Sequence, residues 1–348
     1  MTRKQAESTS AAYTGWRSIV AHYQQPDIRK SVWQIINSFG GLFFCWVLMY
    51  FTLEISYLLT LLLAIPAAGF AVRIFIIQHD CGHGSYFKSR KANDIVGSVC
   101  GVITLTPYKY WRKSHAIHHA HHAELEERGT GDVWTMTVAE YLDASRWKKI
   151  AYRIFRNPFF LFGVIPGANF IIAQRIPLWA KEKGWHNGET ESVWYTDVAL
   201  LALFVGFGLL IGFANVLLIA LPTVLLAASV GTWLFYVQHQ FERTYWEHTP
   251  TWDYTLAAMH GSSYYQLPKV LQWFTGNIGF HHIHHLSPRI PNYNLQACHE
   301  ENPLMQRVVH LTLLESFKTV SLALWDENKH RLVTFREAKQ SQGAPSAA

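Results

Sequence analysis

The sequence predicts an all-α integral membrane protein. Four transmembrane helices form two hairpins, and a cytosolic helical cap holds a histidine-rich di-metal site. Three observations lead there. Half of the 348 residues are hydrophobic and only 16% are charged, against about 25% in a soluble domain. Four apolar runs are long enough to cross about 30 Å of hydrocarbon as helices. Eleven of the 19 histidines fall in three short clusters at the ends of apolar segments: HDCGH, HAIHHAHH and HHIHH.

The chain begins with a polar Ser/Thr/Ala-rich stretch, 1–12, expected to be a disordered tail like 338–348 at the other end. Between them, 13–337 reads as one membrane domain. The first apolar run, about 32–53, is too long for a signal peptide and is expected to stay as an anchor. The second, about 55–77, ends on the first histidine cluster. The third and fourth cover about 195–213 and 214–237. The very short joints within each pair predict two tight helical hairpins. Two further apolar pieces, Ile95–Leu105 and Pro158–Ile172, are short or interrupted by Pro166 and Gly167. They are expected to lie at the interface or re-enter from one side.

Of the 30 Lys and Arg residues, 5 precede the first span, 15 lie between the second and third, 9 follow the fourth, and none falls on a hairpin tip. This positive-inside distribution places both termini and all three clusters in the cytosol. Arg73, within the second span, is the exception and is expected to snorkel to the interface. The net charge of +6 suits anionic headgroups, and nothing resembles a nucleic-acid reader. Cys45, Cys81, Cys100 and Cys298 form no CxxC pair. A disulfide framework and a zinc ribbon are both excluded.

Neutral imidazole is the commonest protein metal ligand. On a helix, residues at i, i+3 and i+4 share a face. His79 and His83 have that spacing, as do His115, His118 and His119, and again His281, His284 and His285. His121 and His282 point elsewhere. His122 lies four residues after His118, so spacing leaves it open as a ligand or as a hydrogen-bonding neighbour. Eight clustered histidines exceed the four ligands of one zinc ion, so two metal ions fit the count. Imidazole suits iron, copper, nickel and zinc alike. His239, just past the fourth span in FYVQHQFE, is a ninth candidate at the same depth as His79. Asn277 is a candidate to act through a bound water. Asp80, Glu124, Asp132 and Glu242 are candidates to accept a proton from the far side of a ligand ring.

The motifs HDCGHGSYFKSRKANDIVG, YWRKSHAIHHA, ERGTGDVWTMTVAEY, FYVQHQFE and GNIGFHHIHHLSPRIPNY resemble the membrane fatty acid desaturases, specifically the bacterial acyl-lipid group. The likeness covers roughly 30–300. It implies a multi-pass protein of the bacterial inner membrane and a non-haem di-iron centre. The reaction implied uses O2 and two electrons to place a cis double bond in the acyl chain of a membrane lipid. It implies metal ligation by His79, His83, His115, His118, His119, His239, His281, His284 and His285; His122, Asn277 and Asp80, from the spacing above, are candidates to stand around them. Three residues between the histidines of the first cluster resemble the acyl-lipid rather than the acyl-CoA branch. With no HPGG haem motif and no GxGxxG, electrons are expected from a separate ferredoxin or flavodoxin. The alternatives are a related di-iron hydroxylase or ketolase, and a non-catalytic membrane metal-binding protein. The last should place its ligands near mid-membrane, whereas these sit at the ends of the spans.

Overall fold

The computed structural model describes residues 10–341. The expected tails, 1–12 and 338–348, fall largely outside that range. Their inner edges are ordered: Ser10 donates a hydrogen bond to Asp253, and Ala338 is buried within the helix Phe335–Ser341.

Among the described residues, four helices are long and apolar enough to cross a membrane, as the sequence predicts. The first, α1 (Ile28–Leu53), is opened by Asp27, whose carboxylate accepts from the Arg29 and Lys30 amides. Ser31, Gln34, Ser38, Leu42, Cys45 and Met49 recur every three or four residues as its buried stripe, which packs on α2 (Tyr57–His83). α2 runs past the apolar stretch and carries His79 and His83 in its last turns. It stops at Gly84, whose φ of +68° is a backbone shape that favours glycine. The second hairpin joins α5 (Glu189–Ile211) to α6 (Phe213–His239) through Gly212 alone, at φ +91°. α6 likewise extends to its histidine. The outer faces are strongly apolar: Leu209 and Leu210 are 77% and 76% exposed. Water would not tolerate that belt, and lipid does. Because both hairpins are antiparallel, the ends of α2 and α6 and the starts of α1 and α5 lie on one side.

Between the hairpins, α3 (Arg90–Ile103) packs along α2 and is too short to span. Pro107 then starts α4 (Tyr108–His121). The Pro158–Ile172 piece belongs to a broken pair, Arg146–Phe155 and Phe160–Arg175, bent by 61°. That geometry suits a broken span or a re-entrant loop. Arg73 does not snorkel. It is buried, lies over the Trp273 ring at 4.1 Å and donates to the Trp273 carbonyl.

The cap is mostly helical, with α7 (Tyr254–His260), α8 (His281–Leu286) and α9 (Asn292–Glu301). Among the described residues it also holds five strands of two or three residues that the all-helical reading did not contain. β1 (Met136–Thr137) pairs in parallel with β4 (Leu324–Asp326), which pairs antiparallel with β5 (Arg331–Val333). β2 (Tyr264–Gln266) pairs in parallel with β3 (His310–Thr312). Runs this short carry no readable period.

Candidate metal centre

The three clusters and His239 arrive from four directions: the ends of α2 and α6, the second half of α4, and α8. The single turn and a half of α8 is followed at once by α9, whose start is tied to the spans by a polar network. Asp80, next to His79, accepts from the Asn292 backbone amide at 2.7 Å and from its side chain at 2.8 Å. Asn292 in turn bonds Gln34 of α1. All three side chains are buried, so the network fixes the start of α9, just after α8, relative to both spans of the first hairpin.

Ring nitrogens of His79, His83, His115, His119 and His284 lie within 4.8 Å of one another. Those of His118, His122 and His285 form a second group, and those of His239, His281 and His285 a third. His285 is common to the last two, so they make one neighbourhood of five imidazoles. The two neighbourhoods touch where His119 and His285 stack at 4.3 Å. All nine sequence candidates are thus brought together, and His122 joins them. His121 is not part of either group; its Nδ1 faces Glu124 at 2.8 Å. His282 turns away, with Nε2 2.8 Å from the Met305 carbonyl.

The supporting candidates divide. Asp132 lies 2.7 Å from His118 Nδ1, and Asp80 lies 3.2 Å from His79 Nδ1. Each is placed to hold the far side of a ligand ring. Glu242 does not serve, because it pairs with Arg331. Asn277 is also withdrawn from the centre. Its amide donates to the Asn292 carbonyl and accepts from Gln272, so both ends are used.

The donor set fits metal ions. His119 Nε2 lies 3.1 Å from His115 Nε2 and 3.0 Å from His284 Nε2; His281 Nε2 lies 3.0 Å from His239 Nε2 and 3.2 Å from His285 Nε2. One nitrogen cannot donate to two neighbours at once. Metal–imidazole bonds of about 2.1 Å at right angles place neighbouring nitrogens about 3 Å apart. Among the described residues, buried Nε2 of His83 and of His118 find no hydrogen-bond partner, a costly state without a ligand. Burial, then the neighbouring imidazoles, holds His119, His281, His284 and His285 well below the ordinary histidine value. His122 is brought down to about 3 by the same causes. The rings are therefore neutral at pH 7, the form that binds metal.

Around the rings the walls are apolar. Trp111 stacks on His115 at 4.5 Å, and Phe235 meets His118 at 5.2 Å. No spacing rule singles out these residues or Asn292.

This arrangement sits in a chain whose residues 55–310 match the family model described as fatty acid desaturase. The chain belongs to the fatty acid desaturase family. It is 47% identical over 320 residues to the fatty acid desaturase of Bacillus subtilis, covering 92% of this chain and 90% of that one. More distant relatives include the sn-1 oleoyl-lipid 12-desaturase of Synechocystis sp., 26% identical over 226 residues, covering 65% of this chain and 63% of the relative. Another is the sn-2 acyl-lipid omega-3 desaturase (ferredoxin) of Helianthus annuus, a chloroplast protein, 27% identical over 245 residues, covering 67% and 53%. The desaturase family match includes every histidine of the two groups.

Acid should dismantle the centre, and the sign follows from the shifts. A histidine with a lowered folded value leaves stability intact above about pH 6.5, its unfolded value. As pH falls below that, the unfolded chain takes up protons that the folded chain refuses, and stability drops. For His122 the loss continues down to about pH 3. The metal-free protein is expected to unfold at progressively lower temperature across that window, followed by circular dichroism. The loaded protein is expected to release metal. Full metal content after dialysis at about pH 4 would contradict imidazole ligation.

Proposed function

We propose that this protein is an acyl-lipid desaturase of the bacterial inner membrane. It introduces a cis double bond into an acyl chain of a membrane lipid, with both termini and the metal centre on the cytosolic side. The observation that carries this reading is the pair of touching imidazole groups at the ends of α2 and α6, in a chain of the desaturase family.

One group would hold its ion through His79, His83, His115, His119 and His284. The other would use His118, His122, His239, His281 and His285. Iron is the metal that the desaturation chemistry calls for, because zinc has no redox states. The bound pair supplies the redox chemistry that consumes O2. Overall, two hydrogens leave adjacent methylenes, the carbon–carbon double bond forms, and O2 with two electrons and two protons becomes two waters. The chain's own residues hold the imidazoles neutral and oriented. Asp80 and Asp132 fix the rings of His79 and His118, while Trp111, Phe75 and Phe235 keep the surroundings apolar. Four spans let a lipid approach sideways with its headgroup at the interface.

The electrons would come from a ferredoxin or flavodoxin. The name of the Helianthus relative includes a ferredoxin. The excess of Lys and Arg on the metal-bearing side complements an acidic carrier.

The deciding experiment is expression in a host lacking unsaturated lipids, followed by lipid-resolved mass spectrometry and metal analysis of the purified protein. New double bonds on glycerolipids and about two irons per chain are expected. New hydroxyl groups without double bonds would move the reading to a hydroxylase. Zinc alone, with no product, would move it to a non-catalytic metal protein.

A further inference from the structure

The helix Arg146–Phe155, RWKKIAYRIF, carries four basic residues and no acidic one. Trp147, Ile150 and Ile154 are 78%, 37% and 49% exposed, and Ala151 is exposed among them. Counted from Trp147, these positions are i, i+3, i+4 and i+7, so all four share one face. A tryptophan and two isoleucines side by side in water would be a liability.

The opposite face is fastened to the cap. Tyr152 is buried, and its hydroxyl donates to the Ala323 carbonyl and accepts from the Met136 amide at 3.1 Å. Arg153 donates to the Tyr141 hydroxyl and Lys149 to the Leu142 carbonyl, each at 2.7 Å. Arg156, just past the last turn, is buried as well. It donates to the Leu322 carbonyl at 2.9 Å and to Gln240 Oε1 at 3.0 Å. Gln240 directly follows His239, so this helix is bolted to the end of α6. That leaves Arg146 and Lys148, both exposed, on opposite flanks of the apolar stripe and each about 100° from its middle. The nearby Glu140 carboxylate is already held by Arg128 at 2.6 Å.

An apolar stripe flanked by basic side chains suits a helix lying flat in a membrane surface. Its surroundings agree. Phe159, 70% exposed, follows at once and leads into the bent piece 160–175. The bond to Gln240 puts the helix at the metal-bearing ends of the spans.

We propose that Arg146–Phe155 lies in the headgroup layer of an anionic leaflet. Trp147, Ile150 and Ile154 enter the acyl boundary, while Arg146 and Lys148 meet anionic headgroups. Through Arg156 the helix ties the end of α6 to that leaflet. A zwitterionic leaflet seats it less firmly, because each basic side chain near an anionic surface is worth about fivefold in binding. None of this depends on which reaction the metal centre performs.

The test is amide hydrogen exchange of the full-length protein in nanodiscs. One set is phosphatidylcholine alone, the other equal parts phosphatidylcholine and phosphatidylglycerol. Amides 149–156 are expected to exchange about tenfold or more slowly in the anionic discs, with α1 and α2 unchanged. Arg146→Gln combined with Lys148→Gln should remove that difference, and Trp147→Ser should speed exchange in both lipids. Equal exchange of the wild type in the two lipids overturns the proposal. So does a difference that the double variant keeps. If the double variant does not accumulate, salt carries the same test on the wild type. At about 1 M the charges are screened, and a lipid difference that persists there overturns the proposal. Protection that appears only on adding a soluble acidic carrier protein would assign the face to a protein and overturn it too.

Discussion

Alanine at His119 or at His285 is expected to take desaturation below detection while the protein still inserts and accumulates. These two rings stand where the imidazole groups meet, stacked at 4.3 Å. His119 Nε2 sits about 3 Å from two other ring nitrogens, and His285 Nε2 sits 3.2 Å from that of His281. Removing either ring takes a donor from one group and packing from the other, so one substitution damages both. Insertion should survive, because it is driven by the apolar spans, none of which contains His119 or His285. Burial disfavours their charged forms, and alanine removes that liability at low pH. The measurements are membrane yield, metal per chain and double-bond content. Normal product from either variant would contradict its role as a ligand. Lost yield matched by lost product would instead show that the ring holds the cap together.

Much of this architecture was legible because membranes impose a strong constraint. Twenty apolar residues in lipid have little choice but to form a helix, so both hairpins and their joints could be read directly. The clusters were legible for a related reason: α2, α4 and α8 are helical where their histidines lie, and the i, i+3, i+4 rule applies there. The rule fails where the helix stops. α4 ends at His121, and His122 has ψ of 131°, an extended backbone. His122 reaches the centre through that turn of the chain, which no spacing argument contains. Glu242 shows the opposite error. It is near His239 in sequence, but the chain leaves the helix after His239, and Arg331 of β5 captures the carboxylate. The short strands were invisible for the same reason as Asn292 and its bond to Asp80. Each depends on a partner far away in the chain, and local patterning says nothing about such a partner.

His121 and His122 are adjacent in sequence, yet their alanine variants are expected to behave very differently. His121 is partly exposed and pairs with Glu124 three residues on. Such a pair contributes at most about 1 kcal/mol, and losing it should change yield and product no more than about twofold. His122 is buried, with ring centroids 4.4 Å from His239 and 4.5 Å from His285. Its contact with the Ser262 hydroxyl is a long one, 3.4 Å, and its other hydrogen-bonding neighbour is the Gly261 backbone. A ring placed only to orient a ligand would bond that ligand's far nitrogen, as Asp132 does for His118. His122 instead places a nitrogen among those of His118 and His285. Removing a partner that merely orients a ligand costs about 10–100-fold in metal affinity. His122→Ala should exceed that, losing one of the two metals and nearly all product, while the ion held by the His79 group remains. The readout is metal stoichiometry alongside product, because only a ligand of one group should halve the first while abolishing the second. Full stoichiometry with a modest loss of product would return His122 to a supporting role and leave four imidazoles for that ion.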